Sequence, residues 1–222
     1  MERRGTGLAT RIRRRKNSEK RTRKSISLAC GLLLFLCCFA VYFLSQTEWM
    51  QKNYLYPYPY RETVEHYAST YGVDSSLAAG VIQAESRFRV DVQSHRGAVG
   101  LMQLMPDTAE WIAGQVGDRR YSIDRLADPE VNIRYGIWYL AALQKEFDGN
   151  DILALAAYNA GRGNVQDWME LYGWGQDFSD VNKIPYAETR EYVVRVLKYQ
   201  RKYEDLYEKS SVGVLTALSV SR

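Results

Sequence analysis

The chain is poor in the groups that most enzyme chemistries need. Its three cysteines, Cys30, Cys37 and Cys38, all lie in one apolar stretch near the N-terminus. Everything after that stretch therefore lacks a disulfide, a thiolate nucleophile and a cysteine ligand. Histidine is nearly absent, with only His66 and His95. Two are too few for a typical zinc site, and no His-Glu-x-x-His occurs. No phosphate-binding glycine loop follows a strand. A Ser-His-Asp triad through His95 stays open, but no nucleophile elbow supports it. There is no convincing period-two strand and no repeat of solenoid period. No cofactor and no metal are expected.

Charge is distributed unevenly. Residues 1–24 carry 11 Lys/Arg and two acids, which leaves 19 of the 30 basic and 24 of the 26 acidic residues for the rest. A basic tail alone suggests nucleic acid. The next stretch argues for a membrane instead. "SISLACGLLLFLCCFAVYFL", residues 25–44, has no charge and no proline, and Ile26 to Leu44 is 19 residues. At about 1.5 Å per residue, that is close to a bilayer core of roughly 30 Å. Basic residues ahead of such a run hold the N-terminus in the cytoplasm. The run is longer than a usual signal-peptide core, and no clean A-x-A site follows it. Ser27 stands three residues before Cys30, where a lipoprotein signal needs an aliphatic residue.

The expected organisation is a basic cytoplasmic tail at 1–24 and a single-pass signal anchor at 25–45. A linker at 46–60, a folded domain at 61–208 outside the cytoplasm and a flexible tail at 209–222 follow. The membrane is an expected partner and nucleic acid is not. The linker "SQTEWMQKNYLYPYPY" holds Trp49 and several tyrosines, rings suited to a membrane interface. Pro57 and Pro59 favour extended backbone. A tyrosine-rich strap packed on the domain fits these residues equally well.

The body reads as helix after helix. Val64, Tyr67, Ala68 and Tyr71 share a face, and Gly72 is a stop signal. Asp74 caps "SSLAAGVIQAESRF", and Pro106 opens "PDTAEWIAGQVG". Asp128-Pro129-Glu130 starts "EVNIRYGIWYLAALQKEF". Asp151 starts "ILALAAYNAG", with Gly161 as its stop, and Asn164 starts "VQDWMELYG". Val193, Val196, Leu197 and Tyr203 give the last helix an apolar stripe. A short hairpin fits residues 92–105, around Gly97 and Gly100. The class is mainly α.

One residue breaks the pattern. Leu77, Val81 and Glu85 recur at i, i+4 and i+8, so an apolar face includes a carboxylate. If that face is buried, desolvation raises the pKa. A carboxylic acid still protonated near neutrality suits cleavage of a glycosidic bond, whose leaving oxygen needs a proton. The alternative is an ion pair with Arg87, Arg89 or a distant arginine. In "SHRGAVGLMQLMPDTA", Gln103 lies between Met102 and Met105, and a buried amide needs either backbone partners or a ligand's polar groups. "AAYNAGRGN" puts Tyr158 and Asn159 at a helix end, as caps or as a cleft wall. "IPYAETREYV" adds Tyr186, Glu188, Arg190 and Tyr192, of which the Glu and Arg could form a local salt bridge.

In this order, "ESRF", "S-x-x-GAVGLMQLMPDTA", "AAYNAG" and "PYAETREYV" resemble the soluble-lytic-transglycosylase family, of goose-type lysozyme-like fold, over about residues 65–205. The resemblance implies Glu85 as the single catalytic acid/base. It implies Ser94 and Gln103 on the sugar and its N-acetyl group, and Met105 lining the cleft. Tyr158 would orient the carboxyl or the substrate, Asn159 would lie beside it, and Glu188 and Tyr192 would complete the wall. The implied substrate is peptidoglycan glycan, with cell-wall synthesis or envelope machinery as possible partners. The motifs offer no obvious second acid, since Asp91 reads as a turn residue and Asp107 as a first-turn residue.

Overall fold

The computed structural model describes residues 27–28 and 30–208, and these divide into two units, up to Asn53 and from Tyr54. The basic tail 1–24 and the C-terminal tail 209–222 lie outside the described residues.

In the first unit, α1 spans Cys30–Ser45. Its apolar side chains are exposed among the described residues. Leu33, Phe35, Val41 and Phe43 are all more than half exposed. Phe35, Phe39 and Phe43 form a ring ladder at i, i+4 spacing, with centroids 6.3 and 4.7 Å apart. The chain then turns into α2 (Glu48–Met50), whose cap is Thr47, accepting from Met50 N at 3.3 Å. Among the described residues no single helix is long and apolar enough to cross a membrane. Cys30–Ser45 and Glu48–Leu55 reach that length only together, with a 74° bend between them. The unbroken span expected over 25–45 is thus described only in part.

The second unit is helical. It comprises α3 (Arg61–Tyr71), α4 (Ser75–Glu85), α5 (Pro106–Gln115), α6 (Pro129–Glu146), α7 (Asp151–Ala160), α8 (Arg162–Tyr172) and α9 (Ala187–Tyr203). Helix boundaries follow local chemistry. Asp74 Oδ1 accepts from Leu77 N at 2.6 Å at the start of α4. Asp128 accepts from Glu130 N and Val131 N, with Pro129 opening α6. The cap of α7 is Asn150, which accepts from Leu153 N at 3.0 Å. Helix α8 starts at Arg162 rather than Asn164, because Gly161 ends α7 and begins α8 with no spacer.

Helix α4 is the core of the domain. Eight consecutive residues, Ser76 to Gln83, are buried. It packs most closely on α9, and Gly80 makes that approach possible. A Cβ at Gly80 would sit 3.0 Å from Val196 O and Gln200 N. Burying Leu77, Val81 and Ile82 stabilises the fold by about 1.5–3 kcal/mol for each side chain. A smaller cluster of Leu104, Ala109, Ile112, Ala113, Leu126 and Tyr135 lies under α5.

The tyrosine-rich segment packs on this unit as a strap. Tyr207 Oη donates to Tyr56 O at 2.9 Å, Tyr203 Oη to Pro57 O at 3.0 Å, and Tyr58 Oη to Ser75 O at 3.3 Å. Gln83 Nε2 donates to Leu55 O at 3.3 Å. The rings of Tyr58, Tyr203, Tyr207 and Phe88 meet edge-on, tilted or stacked within 6.1 Å.

The hairpin expected at 92–105 forms no strands. The segment makes only two isolated antiparallel bridges, Gln93 with Val99 and Val99 with Leu104. Val99 and Leu104 exchange both backbone bonds, at 2.9 and 3.1 Å, and a side chain on another helix holds the rest of the segment. Fully buried Asn132, on α6, donates to Val99 O and Leu126 O at 2.9 Å and accepts from Met102 N at 2.8 Å. Gly100, at φ 79°, passes so close to the Asn132 amide that a Cβ there would collide with it.

Candidate active site

Glu85 is the last residue of α4. The helix stops because the chain turns sharply. Arg87 and Phe88 both take left-handed conformations, at φ 55° and 59°. Each costs about 1–2 kcal/mol for a non-glycine residue. Burial of Phe88 against Tyr58 and Tyr203 offsets part of that. Glu85 is thereby left at the base of a cleft of about 610 Å³.

Seven of the eight expected site residues line this cleft, namely Glu85, Ser94, Gln103, Met105, Tyr158, Asn159 and Glu188. Tyr192 does not. It is buried behind Glu85, with 2% of its surface exposed. Burial pushes the Glu85 carboxyl up to about 7, and the Tyr192 hydroxyl and the Arg195 guanidinium pull it partly back. Tyr192 Oη favours the Glu85 anion, yet it completes no hydrogen bond of good geometry among the described residues. Arg195 lies over the Tyr192 ring, 5.8 Å from its centroid. Burial, with the Glu85 charge second, holds both Tyr158 and Tyr192 well above the usual phenol range.

Several of these side chains also build the cleft. Gln103 Nε2 donates to Gly100 O at 2.8 Å and Val92 O at 3.0 Å, so its amide protons serve the loop. Ser94 Oγ accepts from Ala98 N at 3.0 Å. Tyr158 Oη donates to Met102 O at 2.8 Å. A phenol has one proton, so Tyr158 does not donate to Glu85. Thr189 Oγ1 donates to Asn159 Oδ1 at 2.8 Å and ties α9 to α7. Glu188, in the first turn of α9, is exposed. The cleft therefore holds a second carboxylate after all. Asp91 and Asp107 do not line it.

Sequence reasoning missed Asn132 and Tyr139. Tyr139 lines the cleft and packs near Tyr158 and Trp111, at 5.5 and 6.2 Å between centroids. Its flat ring suits the C–H face of a sugar. In the sequence it is one more ring on an amphipathic helix. Asn132 carried a signal of the same kind as Glu85, a polar residue among buried apolar ones. Among the described residues no group of three or more His, Cys, Asp or Glu could hold a metal ion.

A helical domain with a desolvated acid lining an open cleft is a lysozyme-like arrangement, and the comparisons agree. Residues 62–181 match the model of the transglycosylase SLT domain. The chain belongs to that family. It is 36% identical over 157 residues to the soluble lytic murein transglycosylase of Escherichia coli, covering 70% of this chain and 24% of that one. It is 34% identical to the membrane-bound lytic murein transglycosylase F of Desulfosudis oleivorans, covering 69% of this chain and 37% of the other. The structure of an inactive glutamate-to-glutamine mutant of the lytic transglycosylase Slt from Pseudomonas aeruginosa superposes with a TM-score of 0.64 at 34% identity. That match covers 80% of this chain and 29% of the Pseudomonas chain. The fold is thus that of the lytic transglycosylases. The chain spans about a quarter to a third of the length of these relatives.

Proposed function

We propose that this chain is a membrane-anchored lytic transglycosylase of peptidoglycan. It would cut the β-1,4 bond between N-acetylmuramic acid and N-acetylglucosamine and leave 1,6-anhydro ends. The observation that carries the reading is Glu85, a carboxyl whose pKa is about 7, at the base of the cleft. Such a group is half protonated near neutrality, so it can donate a proton and then accept one.

The reaction follows from that property. The Glu85 proton passes to the leaving glycosidic oxygen as its bond to the muramic C1 breaks. The substrate's acetamido group stabilises the developing positive charge. The Glu85 carboxylate then takes the proton of the muramic 6-hydroxyl as that oxygen bonds to C1. Glu85 ends protonated, as it began. Tyr192 and Arg195 favour the anionic stage between the two transfers. No water is activated, so one carboxylate suffices. Ser94, Gln103, Met105, Asn159 and Tyr139 shape the sugar site, and Tyr158 holds the Met102 carbonyl that fixes its loop.

The anchor is the second part of the proposal. A helix apolar on all sides needs an apolar surrounding, and α1 exposes its apolar residues all round. Membrane burial supplies that surrounding and agrees with the basic tail before it. In this reading residues 1–24 are cytoplasmic, 25–45 anchor the chain and the domain works outside the cytoplasm, within reach of nascent glycan. Cell-wall synthesis or envelope machinery would be its setting.

Glu188 supports one competing reading. A hydrolytic muramidase needs a second carboxylate to activate water, and Glu188 lines the same cleft. Mass spectrometry of digested wall separates the two. Anhydro-muropeptide ends support transglycosylation, and products with reducing ends alone would sink it. A glycan-binding scaffold without catalysis would release no product from wall, either as wild type or as Glu85→Gln.

A further inference from the structure

Two cavities on α9 share no lining residue with the catalytic cleft. The first, about 500 Å³, lies between α9 and the turn at Val181–Lys183. The second, about 310 Å³, lies between α9, the end of α4 and the tyrosine strap. Tyr199 lines both, and its ring meets that of Tyr56 with centroids 6.0 Å apart. The two cavities therefore form one continuous surface.

That surface is basic, on a body that is not. Residues 25–222 hold 24 acids against 19 Lys/Arg. The two linings reverse the balance, with Arg87, Arg190, Arg195 and Lys198 against Glu191. Arg190 is engaged by the backbone, donating to Ile184 O and Pro185 O. Arg195 and Lys198 are exposed and form no ion pair with a described residue. Their i, i+3 spacing sets them on one ridge of α9 with Val194, which is 55% exposed. Leu55 and Tyr54 are exposed at the neighbouring cavity. Cations interleaved with apolar side chains suit a surface that lies on a bilayer. The charged heads meet phosphates, while the aliphatic stems and rings meet the acyl boundary.

Chain length supports the same occupant. Tyr56 follows Ser45, the last residue of α1, by 11 residues. In the anchored reading, that length keeps Tyr56 within about 40 Å of the membrane. A tethered contact is intramolecular in effect, so a few cations suffice to hold it. Each Lys or Arg at an anionic membrane surface tightens binding about fivefold.

We propose that this α9 surface docks on anionic phospholipid headgroups of the membrane, with Arg195 and Lys198 on their phosphates. The same headgroups repel the acidic remainder of the body, so docking selects one orientation and leaves the catalytic cleft clear of the contact. The proposal rests on the anchor reading and adds an orientation to it. Its test places the full chain in nanodiscs of phosphatidylcholine, with or without about 30% phosphatidylglycerol. Lysines are then acetylated and measured by mass spectrometry. Relative to exposed Lys145 on α6, Lys198 should be labelled about fivefold less on the phosphatidylglycerol discs. Salt at about 1 M, where the screening length is about 3 Å, should restore its labelling. Val194→Asp, which puts an acid on the exposed ridge without burying it, should restore it too. Equal labelling of Lys198 on the two discs overturns the proposal. So does protection that survives either the salt or Val194→Asp. Protection that appears only when peptidoglycan is added also overturns it, by assigning the ridge to the wall polymer. A chain that co-purifies with neither disc is a different result, and it would overturn the anchor reading and the proposal with it.

Discussion

The end of α4 and the start of α9 each bring a glutamate to one cleft, and the two carboxyls meet different physics. Glu85 follows eight consecutive buried residues and sits against Tyr158 and Tyr192. Burial moves it up to about 7. Glu188 stands in solvent at a helix N-terminus, where the dipole is compatible with negative charge. Residue type is therefore a poor guide to role here. A proton donor must be kept from water, and only the α4 side of the cleft does that.

The contrast makes its strongest prediction for activity. Glu85→Gln should lower kcat on purified peptidoglycan by about 10³-fold, within the range for loss of a general acid and base. Glu188→Gln should cost less than about tenfold and should leave the anhydro ends unchanged. If the two substitutions cost the same, the single-acid mechanism fails and the muramidase reading gains.

Removing the support of the cleft comes next in size. Asn132→Ala takes two donors and one acceptor from Val99, Leu126 and Met102 in a buried site. Stability should drop by about 3 kcal/mol in urea titration. Activity per folded molecule should also fall, because Gln103 and Met105 are carried on the loop that Asn132 holds. A loss below about 1 kcal/mol would show that the loop is held by other means.

Stability itself should report the environment of Glu85. Its folded pKa, about 7, lies above an unfolded value of about 4.5. Its stabilising contribution is then full below about pH 4.5 and is lost as pH rises through 7. Glu85→Gln should match the wild type near pH 4. It should be more stable near pH 8, by about 3 kcal/mol. The wild-type rate should fall above about pH 7, as the acid form is lost. A wild type more stable than Glu85→Gln at pH 8 would mean that Glu85 is paired rather than desolvated.

The parts of this site that were legible share one property, which is that their cause is local. Asp74, Asp128, Pro106, Pro129 and Gly72 mark helix ends through bonds made within a few residues. Glu85 stood out because its nearest helical neighbours are apolar. The hairpin is reduced to isolated bridges for the opposite reason. Beyond the reciprocal Val99–Leu104 pair, the segment is held by Asn132, about 30 residues away on another helix. The tyrosine-rich segment reads equally as linker or strap in the sequence, since Tyr203 and Tyr207 lie some 150 residues from their partners. The left-handed pair Arg87 and Phe88 carries no glycine or asparagine to announce it. Burial of the Phe88 ring selects that turn.

The smallest effect tests the fine balance at Glu85. The buried Tyr192 hydroxyl favours the Glu85 anion but lacks a well-formed bond of its own. Tyr192→Phe keeps the ring that packs against α4 and removes only that oxygen. The Glu85 pKa should rise further, so the alkaline limb of the rate profile should move up by less than about one unit. Loss of an unsatisfied buried hydroxyl should leave stability unchanged or raise it by about 1 kcal/mol. The rate should fall modestly, because the anionic stage of Glu85 loses a supporting dipole. Arg195→Gln should shift the limb in the same direction without touching the buried ring. A limb that moves down in either variant would mean that these groups hold Glu85 in its acid form, and that the anion between the two proton transfers is stabilised from the cleft side alone.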